Sequence, residues 1–218
     1  MFTGLIEDVG RVLDIVHDAD GIRLRLATAI ARELSTGDSV AISGVCLTAI
    51  AVGDDMRADI GPETARVTTL GTLRREQPVN IERSMRADSR FGGHFVQGHV
   101  DGVGSVAAIR EDGDAHWLTI AFPSTLAPFL IHKGSVAVDG ISLTVATLDE
   151  YRFDVMIIPF TWQHTNVSSL RVGDRVNLEC DMIGKYVARV AELSLAGHLK
   201  AAPTTETYGP PVGGSDKM

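Results

Sequence analysis

The sequence predicts an all-β protein, built from two tandem six-stranded antiparallel barrels followed by one α-helix near the C-terminal end. Three observations favour this fold class. One motif occurs twice, apolar and polar residues alternate in short segments bounded by Gly or Asp, and a helical repeat of apolar residues is found mainly near the end of the chain. Closed barrels are favoured over open sheets because closure leaves no exposed strand edges.

The motif that occurs twice is "SVAISGVCLTA" at residues 39–49 and "SVAVDGISLTV" at residues 135–145, with six of eleven positions identical. Upstream, "GLIEDVGRV" at 4–12 matches "GHVDGVGSV" at 98–106, in the same order along the chain. The repeat is about 95 residues long, the size of a whole domain, whereas solenoid repeats have about 20–50 residues. The sequence therefore predicts a tandem duplication.

Within each copy the segments are short and rich in β-branched residues. In the first copy, "SVAIS", "VCLTAIAV", "RADIG" and "VNIER" are typical of strands. About six such strands fit into one copy, which is enough for a small closed barrel. We expect the first barrel over residues 1–94 and the second over 95–191, with "SMRADSRFGG" at 84–93 as the linker.

The main helical candidate is the segment 182–200, "MIGKYVARVAELSLAGHLK". Four apolar residues recur there at helical spacing: Ile183, Val187, Val190 and Leu193. Such a narrow stripe suits either a core contact or self-association. The Pro, Gly and Thr content of residues 201–218 predicts a disordered tail.

Composition excludes several classes of protein. The 218 residues carry a net charge of −8, and Lys and Arg are dispersed rather than clustered. A nucleic-acid binder needs a basic face, so that class is not expected. The N-terminus has no basic leader, and the apolar runs are too short to cross a bilayer. Two cysteines, Cys46 and Cys180, do not make a disulfide scaffold, so we expect a cytoplasmic protein without a membrane or nucleic-acid partner.

Alternation along the repeated strand places small polar side chains on one face. Cys46 and Thr48 share a face in the first copy, and Ser142 and Thr144 share the equivalent face in the second. One such strand would simply face solvent. Because the pattern occurs in both copies, a ligand surface is an equally good interpretation.

Two histidines lie in the dense stretch "GGHFVQGHVDGVG" at 92–104. His94 and His99 are five residues apart and would face opposite sides of a strand, so a shared metal site is not expected. The segment "GVGSVA" at 102–107 imitates a dinucleotide fingerprint, but the alternating residues after it do not predict the helix that such a site needs.

Differences between matched positions indicate where the two copies have diverged in role. In four of five such pairs the second copy gains an ionisable group, and in the fifth it has serine for cysteine. The pairs are Leu5 and His99, Gly37 and Lys133, Ser43 and Asp139, Cys46 and Ser142, and Ser84 and Asp181. Drift explains any single pair, but the set favours function, since a histidine near its ordinary pKa can move protons at neutral pH.

Several of these motifs together resemble the riboflavin synthase family. They are "MFTG", "GVCLT", "GISLTV", "GGHFVQGHVDGVG" and "VNLECDMIGKY", and the resemblance runs from residue 1 to about residue 195. It implies two Greek-key barrels per chain, each binding one 6,7-dimethyl-8-ribityllumazine, and a homotrimer joined through the C-terminal helix. The active site would lie between the first barrel of one subunit and the second barrel of its neighbour. No cofactor or metal would be needed, and an association with lumazine synthase is a further expectation.

The resemblance also implies which residues serve the site. His99 would be the proton shuttle, and Ser142 or Cys46 the nucleophile or a hydrogen-bond partner. Thr48 and Thr144 would orient the rings, while Asp181 and Lys133 would supply electrostatic stabilisation. Substrate contacts in the first copy would be Gly4, Leu5, Ile6, Cys46, Leu47, Thr48, Asp59, Ile60, Gly61, Pro62, Glu63 and Thr64, with Phe2 and Thr3 closing over the site. Those in the second copy would be Gly98, His99, Val100, Lys133, Ser142, Leu143, Thr144, Met156, Ile157, Ile158, Pro159, Phe160 and Thr161.

One residue departs from the family pattern, because Phe160 stands where a polar residue is expected in the second "PET"-like turn. The competing function is that of a non-catalytic lumazine- or flavin-binding antenna protein of the same fold. Both copies here keep Gly-x-(Cys/Ser)-Leu-Thr, which favours the enzyme.

Overall fold

A computed structural model describes residues 1–18 and 21–196 of the chain. It contains two closed six-stranded antiparallel barrels, as the duplication and the alternating segments predicted. The expected disordered tail, residues 201–218, lies outside the described residues, and so do the last four residues of the predicted helical segment.

The first barrel has six strands: β1 Asp8–Asp18, β2 Gly21–Ala27, β3 Ser39–Ile42, β4 Val45–Ala51, β5 Met56–Ile60 and β6 Pro78–Arg83. Their order around the barrel is β1-β2-β5-β4-β3-β6. Strands β3, β4 and β5 follow one another as neighbours, and β6 returns to lie beside β3, which is the Greek-key arrangement.

The second barrel repeats this topology strand for strand. Its strands are β7 Gly102–Asp112, β8 Ala115–Ala121, β9 Ser135–Val138, β10 Ile141–Leu148, β11 Arg152–Ile157 and β12 Arg175–Cys180. Their order, β10-β11-β8-β7-β12-β9, is the same closed order read in the opposite direction from another strand. The hairpin β3–β4 carries the first copy of the repeated motif, and β9–β10 carries the second.

The predicted alternation is present in both motif strands. Val45, Leu47 and Ala49 of β4 are buried in the first core, while Cys46 is half-buried and Thr48 is exposed. In β10, Ile141, Leu143 and Val145 likewise enter the second core, with Ser142 half-buried and Thr144 exposed. Each large aliphatic side chain contributes about 1.5–3 kcal/mol on burial, which fixes the strand register and therefore the polar face.

Two short helices were not predicted from the sequence. Helices α1 Pro62–Val67 and α2 Pro159–His164 each begin with proline at the first helical position, where the missing N–H costs no hydrogen bond. Six residues are too few to show a helical period. Four 3-10 turns were missed for the same reason: Ala29–Glu33, Thr69–Thr72, Ser124–Phe129 and Asn166–Ser169.

The C-terminal helix α3 spans Met182–Leu195. Asp181 caps it, accepting a hydrogen bond from the backbone N–H of Ile183 at 3.0 Å. Along the predicted apolar stripe, Ile183, Val187 and Val190 are 60%, 64% and 54% exposed in the single chain. Of the two interpretations, this exposure favours self-association over a core contact. No helix in the described residues is long and apolar enough to span a membrane.

A buried polar network joins the turns of the two motif hairpins. The Asn177 side-chain amide donates to the Ser43 carbonyl at 2.8 Å, and the Asn80 amide donates to the Asp139 carbonyl at 2.9 Å, so the network is two-fold symmetric. The Asp139 carboxylate accepts from the backbone N–H of Asn177 at 2.8 Å and from the Asn166 amide at 2.9 Å. Complete burial raises the pKa of Asp139 to about 6.

Candidate functional site

The segments that precede the two barrels cross between them. Phe2 and Val96 form an antiparallel bridge, with N–H to carbonyl distances of 2.7 and 3.1 Å. Beyond this bridge, the Gly4 carbonyl accepts the Ser142 N–H of the second barrel at 2.8 Å. In the same way, the Gly98 carbonyl accepts the Cys46 N–H of the first barrel at 2.9 Å.

The crossing points require glycine. Gly4 and Gly98 have φ of +77° and +81°, in the left-handed region that glycine tolerates best. A Cβ on Gly4 would lie 2.6 Å from Cβ of Ser142, and one on Gly98 would lie 2.6 Å from Cβ of Cys46. Each glycine therefore allows the crossing segment to touch the polar face of a motif strand.

Residues that follow each glycine also pack on the opposite barrel. Ile6 packs on the core of the second barrel, and Val100 packs on the core of the first. The sequence grouped each segment with its own copy, whereas the structure places each segment against the opposite barrel. The half-buried Cys46 side chain packs against the small cluster between the barrels, Phe2, Ala41, Val96 and Ala137.

Two buried glutamates hold the crossing segments. Glu82, at 4% exposure, accepts hydrogen bonds from the N–H and hydroxyl of Thr3 and from the N–H of Gly4. Glu179, at 2% exposure, accepts from three successive N–H groups, those of Gln97, Gly98 and His99. Burial raises the pKa of both carboxyl groups, and the hydrogen bonds from the segments oppose that rise.

His94 is a site residue that the sequence reasoning considered only as a metal ligand. Its Nδ1 lies 2.7 Å from the Ser142 hydroxyl oxygen, and its backbone N–H donates to the Thr3 carbonyl at 3.1 Å. Burial lowers the pKa of His94, and the nearby Asp181 carboxylate raises it to a smaller extent, so the neutral ring is favoured. Its Nε2 is buried without a hydrogen-bond partner in the described structure.

His99, the predicted proton shuttle, is exposed, and its side chain makes no hydrogen bond within the part of the chain described here. Its backbone is fixed by Glu179. Lys133 is also exposed and has a positive φ of 64°. Asp181 is half-buried at the start of α3, close enough to influence His94.

The structure places the predicted substrate residues at three levels of burial. Exposed are Leu5, Thr48, Asp59, Gly61, Pro62, Glu63, His99, Lys133, Thr144, Met156, Ile158, Pro159 and Phe160. Half-buried are Ile6, Cys46, Thr64, Val100, Ser142 and Thr161. Buried are Phe2, Thr3, Gly4, Leu47, Ile60, Gly98, Leu143 and Ile157.

The two copies differ where each strand enters its short helix. In α1, Glu63 and Arg66 form an ion pair with a shortest distance of 2.6 Å. In α2 the ring of Phe160, 66% exposed, stacks on His164 with centroids 4.1 Å apart. The second copy therefore has an aromatic edge where the first has a charged one.

A cavity of about 640 Å³ opens beside the N-terminal crossing segment. Thr3, Leu5 and Ile6 line it, together with Glu82, but neither Cys46 nor Ser142 does. The cavity is therefore lined by three of the predicted substrate residues but by no residue of β4 or β10.

The titratable groups offer acid–base chemistry rather than a metal centre. No group of three His, Cys, Asp or Glu side chains with metal-binding geometry occurs in residues 1–18 and 21–196. Both cysteines are free, and burial raises the pKa of Cys180 to about 12, so its thiol is unreactive.

Comparison with known proteins identifies relatives of the whole two-barrel unit. The family model described as "Lumazine binding domain" matches twice, at residues 3–84 and 97–181. A riboflavin synthase from Actinobacillus pleuropneumoniae is 42% identical over 86% of this chain and 88% of its own length. One from Bacillus subtilis is 39% identical over 87% of this chain and 89% of its own length.

Among solved structures, LumP in complex with riboflavin superposes with a TM-score of 0.78. The alignment covers 83% of this chain and 99% of LumP, at 23% sequence identity. At that identity the likeness supports the fold alone.

Proposed function

The chain belongs to the riboflavin synthase family, and we propose that it performs the reaction of that family on the polar faces of β4 and β10. Two molecules of 6,7-dimethyl-8-ribityllumazine react without a cofactor. One transfers a four-carbon unit to the other, giving riboflavin and 5-amino-6-(D-ribitylamino)uracil.

The presence of two equivalent strand faces in one chain carries this proposal. The reaction consumes two copies of one substrate, and the chain has two copies of one surface, Cys46 with Thr48 and Ser142 with Thr144. Each surface is bordered by a glycine-containing crossing segment and by a strand that runs into a short helix. Backbone N–H and carbonyl groups at such edges can bind a pyrimidine-like ring without a charged side chain.

The chemistry needs proton transfer and positioning more than a strong base. The 7-methyl group of one lumazine is acidic because its carbanion delocalises into the ring, and holding two rings together supplies much of the acceleration. Neutral His94, hydrogen-bonded to Ser142, is suited to proton transfer at the second barrel. His99 would transfer protons from its exposed position. Cys46 or Ser142 would contact the reacting ring, and Thr48 and Thr144 would orient the rings. Lys133 and Asp181 would stabilise charge.

We further propose a homotrimer joined through α3, in which the first barrel of one subunit faces the second barrel of another. The exposure of Ile183, Val187 and Val190 supports assembly along this helix, because such a stripe is costly to leave in water. Many predicted substrate residues are exposed in the single chain, which is consistent with a site completed by a neighbour. Two free thiols suit a reducing cytoplasm. Association with lumazine synthase remains a proposal from the family.

A lumazine- or flavin-binding antenna protein is the second candidate, since LumP shares the fold. The curated relatives at 39–42% identity over most of the chain are riboflavin synthases, and both motif strands are retained. These observations favour the enzyme.

The test is to incubate purified protein with 6,7-dimethyl-8-ribityllumazine alone and to separate the products by chromatography. We expect riboflavin at half the lumazine consumed and an equal amount of the aminouracil, with no added cofactor. The double variant Cys46→Ala, Ser142→Ala is the matched control and should lose most of this turnover. Tight binding of lumazine without turnover by the wild-type protein would instead support the antenna function.

A further inference from the structure

The two buried glutamates occupy equivalent places in the two barrels. Glu82 lies on β6 and Glu179 on β12, the last strand of each barrel. Each is less than 5% exposed, and each uses both carboxylate oxygens to hold the segment that precedes its own barrel. Each segment then crosses to the motif strand of the other barrel.

The chain of contacts from Glu179 leads to the first barrel. Its carboxylate accepts the N–H groups of Gln97, Gly98 and His99 at 2.7, 2.9 and 3.0 Å. The Gly98 carbonyl, in turn, accepts the Cys46 N–H at 2.9 Å. The position of the β4 polar face relative to His99 thus depends on a residue of the second barrel.

The chain of contacts from Glu82 leads to the second barrel. Its carboxylate accepts the N–H and hydroxyl of Thr3 at 2.7 and 2.8 Å, and the N–H of Gly4 at 3.0 Å. The Gly4 carbonyl accepts the Ser142 N–H, and the Thr3 carbonyl accepts the His94 N–H. Glu82 therefore supports the segment that borders the histidine–serine pair.

Only a carboxylate can satisfy three donors in this way. Both of its oxygens accept hydrogen bonds, whereas a glutamine side chain has one accepting oxygen and an NH₂ group that would face an N–H donor. Burying such a mismatch is costly, and the segment would move to relieve it. An isosteric Glu→Gln change thus loosens one segment while leaving the volume of the side chain almost unchanged.

We propose that Glu179 and Glu82 are positioning residues that act crosswise: Glu179 sets the geometry of the first-barrel site at Cys46, and Glu82 sets that of the second-barrel site at Ser142. The identity of these strands as substrate sites rests on the proposed function. The crosswise control of their geometry does not, and it can be measured without turnover.

The Cys46 thiol is a suitable reporter. Its own N–H donates to the Gly98 carbonyl of the segment that Glu179 holds, and a Cβ on Gly98 would lie 2.6 Å from Cβ of Cys46, so displacement of that segment uncovers the side chain. Cys180 is buried, and its raised pKa of about 12 keeps it out of the reaction. The experiment measures the rate of iodoacetamide alkylation at each cysteine by peptide mass spectrometry, in the folded full-length protein at neutral pH.

Glu179→Gln should raise the alkylation rate of Cys46 by about tenfold, because at least one charge-assisted hydrogen bond to the segment is lost. Glu82→Gln is the matched control and should raise that rate less, because Glu82 holds Thr3 and reaches Cys46 only through Phe2 in the cluster between the barrels. The reverse pattern is expected for the His94 pKa followed by NMR, which Glu82→Gln should shift and Glu179→Gln should not. A general loss of stability would change both reporters in both variants.

Equal effects of the two variants on Cys46, or no effect of a folded Glu179→Gln protein, would overturn the proposal. If Glu179→Gln does not fold, Glu179→Asp tests the same point against Glu82→Asp. The shortened carboxylate should give a smaller rise in Cys46 alkylation in the first variant only. If the two variants show the crosswise pattern while wild-type protein shows no lumazine turnover, the proposed function fails and the positioning role stands.

Discussion

His94 Nδ1 lies 2.7 Å from the Ser142 hydroxyl oxygen, whereas the matched position on the first-barrel strand is a cysteine. There Cys46 replaces Ser142, and its thiol makes no hydrogen bond among the residues described. The two motif strands thus differ at the position where a neutral histidine meets a hydroxyl. We expect this pair to transfer protons at the second barrel.

The first prediction concerns this histidine–serine pair as a unit. His94→Gln and Ser142→Ala should each lower kcat by about 100-fold, the lower range for loss of a general acid–base group. The double variant should be little slower than either single variant, because removing one partner already disables the pair. Steady-state kinetics of the four proteins measures this, with the exposed His17→Gln as the control. Additive losses would show that the two residues act separately.

The second prediction tests His99 as the proton shuttle. Its backbone is held by Glu179 while its imidazole is exposed, so His99→Gln should lower kcat by about 10- to 100-fold without a change in melting temperature. Lumazine turnover and thermal unfolding are measured in parallel. Full turnover by His99→Gln would leave His94 as the remaining histidine candidate.

The third prediction concerns the pH dependence of stability through Asp139. Its folded pKa of about 6 lies above the ordinary value of 3.8, so its contribution to stability is fully present below pH 3.8 and is lost as the pH rises through about 6. The shift of about two pKa units corresponds to about 3 kcal/mol.

Chemical denaturation at several pH values between 4 and 7 tests this sign. As the pH rises from 4 to 7, the unfolding free energy of Asp139→Asn should increase relative to that of wild type by about 3 kcal/mol, because only the wild-type side chain ionises in the buried site over this range. The exposed Asp114→Asn is the control. A constant difference between Asp139→Asn and wild type would contradict the prediction.

The fourth prediction concerns assembly through α3. Val187→Glu places a charge in the exposed apolar stripe and should shift the protein from trimer to monomer. Light scattering coupled to gel filtration measures the mass, and turnover should fall with it if the site is shared between subunits. Arg189→Gln, on the same helix, should keep the wild-type mass. A trimer that persists in Val187→Glu would place the interface elsewhere.

Much of the fold could be predicted because it depends on local pattern. Alternation in the motif strands and the recurrence of the motif were enough to indicate two barrels and to place Cys46 and Ser142 on polar faces. The crossing of the segments could not be predicted, since Gly4 meets Ser142 far along the chain and no periodicity encodes that contact. His94 was not predicted as a site residue, because its spacing from His99 was considered only as evidence for or against a metal site.

The glutamates were missed for a different reason. Glu82 and Glu179 are the same residue at matched positions, so they support the duplication without indicating any difference in role between the copies. A signal was nevertheless present, because Asn and Glu recur at the same alternate positions of a strand in both "VNIER" and "VNLEC". A charge buried in a strand needs donors from another segment, and that requirement could have pointed to the crossing.

The exchange of opening segments bears on how the duplicated halves could diverge after they were fused. The motif strand of each half is contacted by the opening segment of the other half. A side chain at Gly4 would therefore clash with Ser142, and one at Gly98 would clash with Cys46. Neither half was free to drift alone at these points. The Gly, Leu and Thr that "GVCLT" and "GISLT" share are consistent with such a reciprocal constraint, which left room for the Val-to-Ile and Cys-to-Ser exchanges.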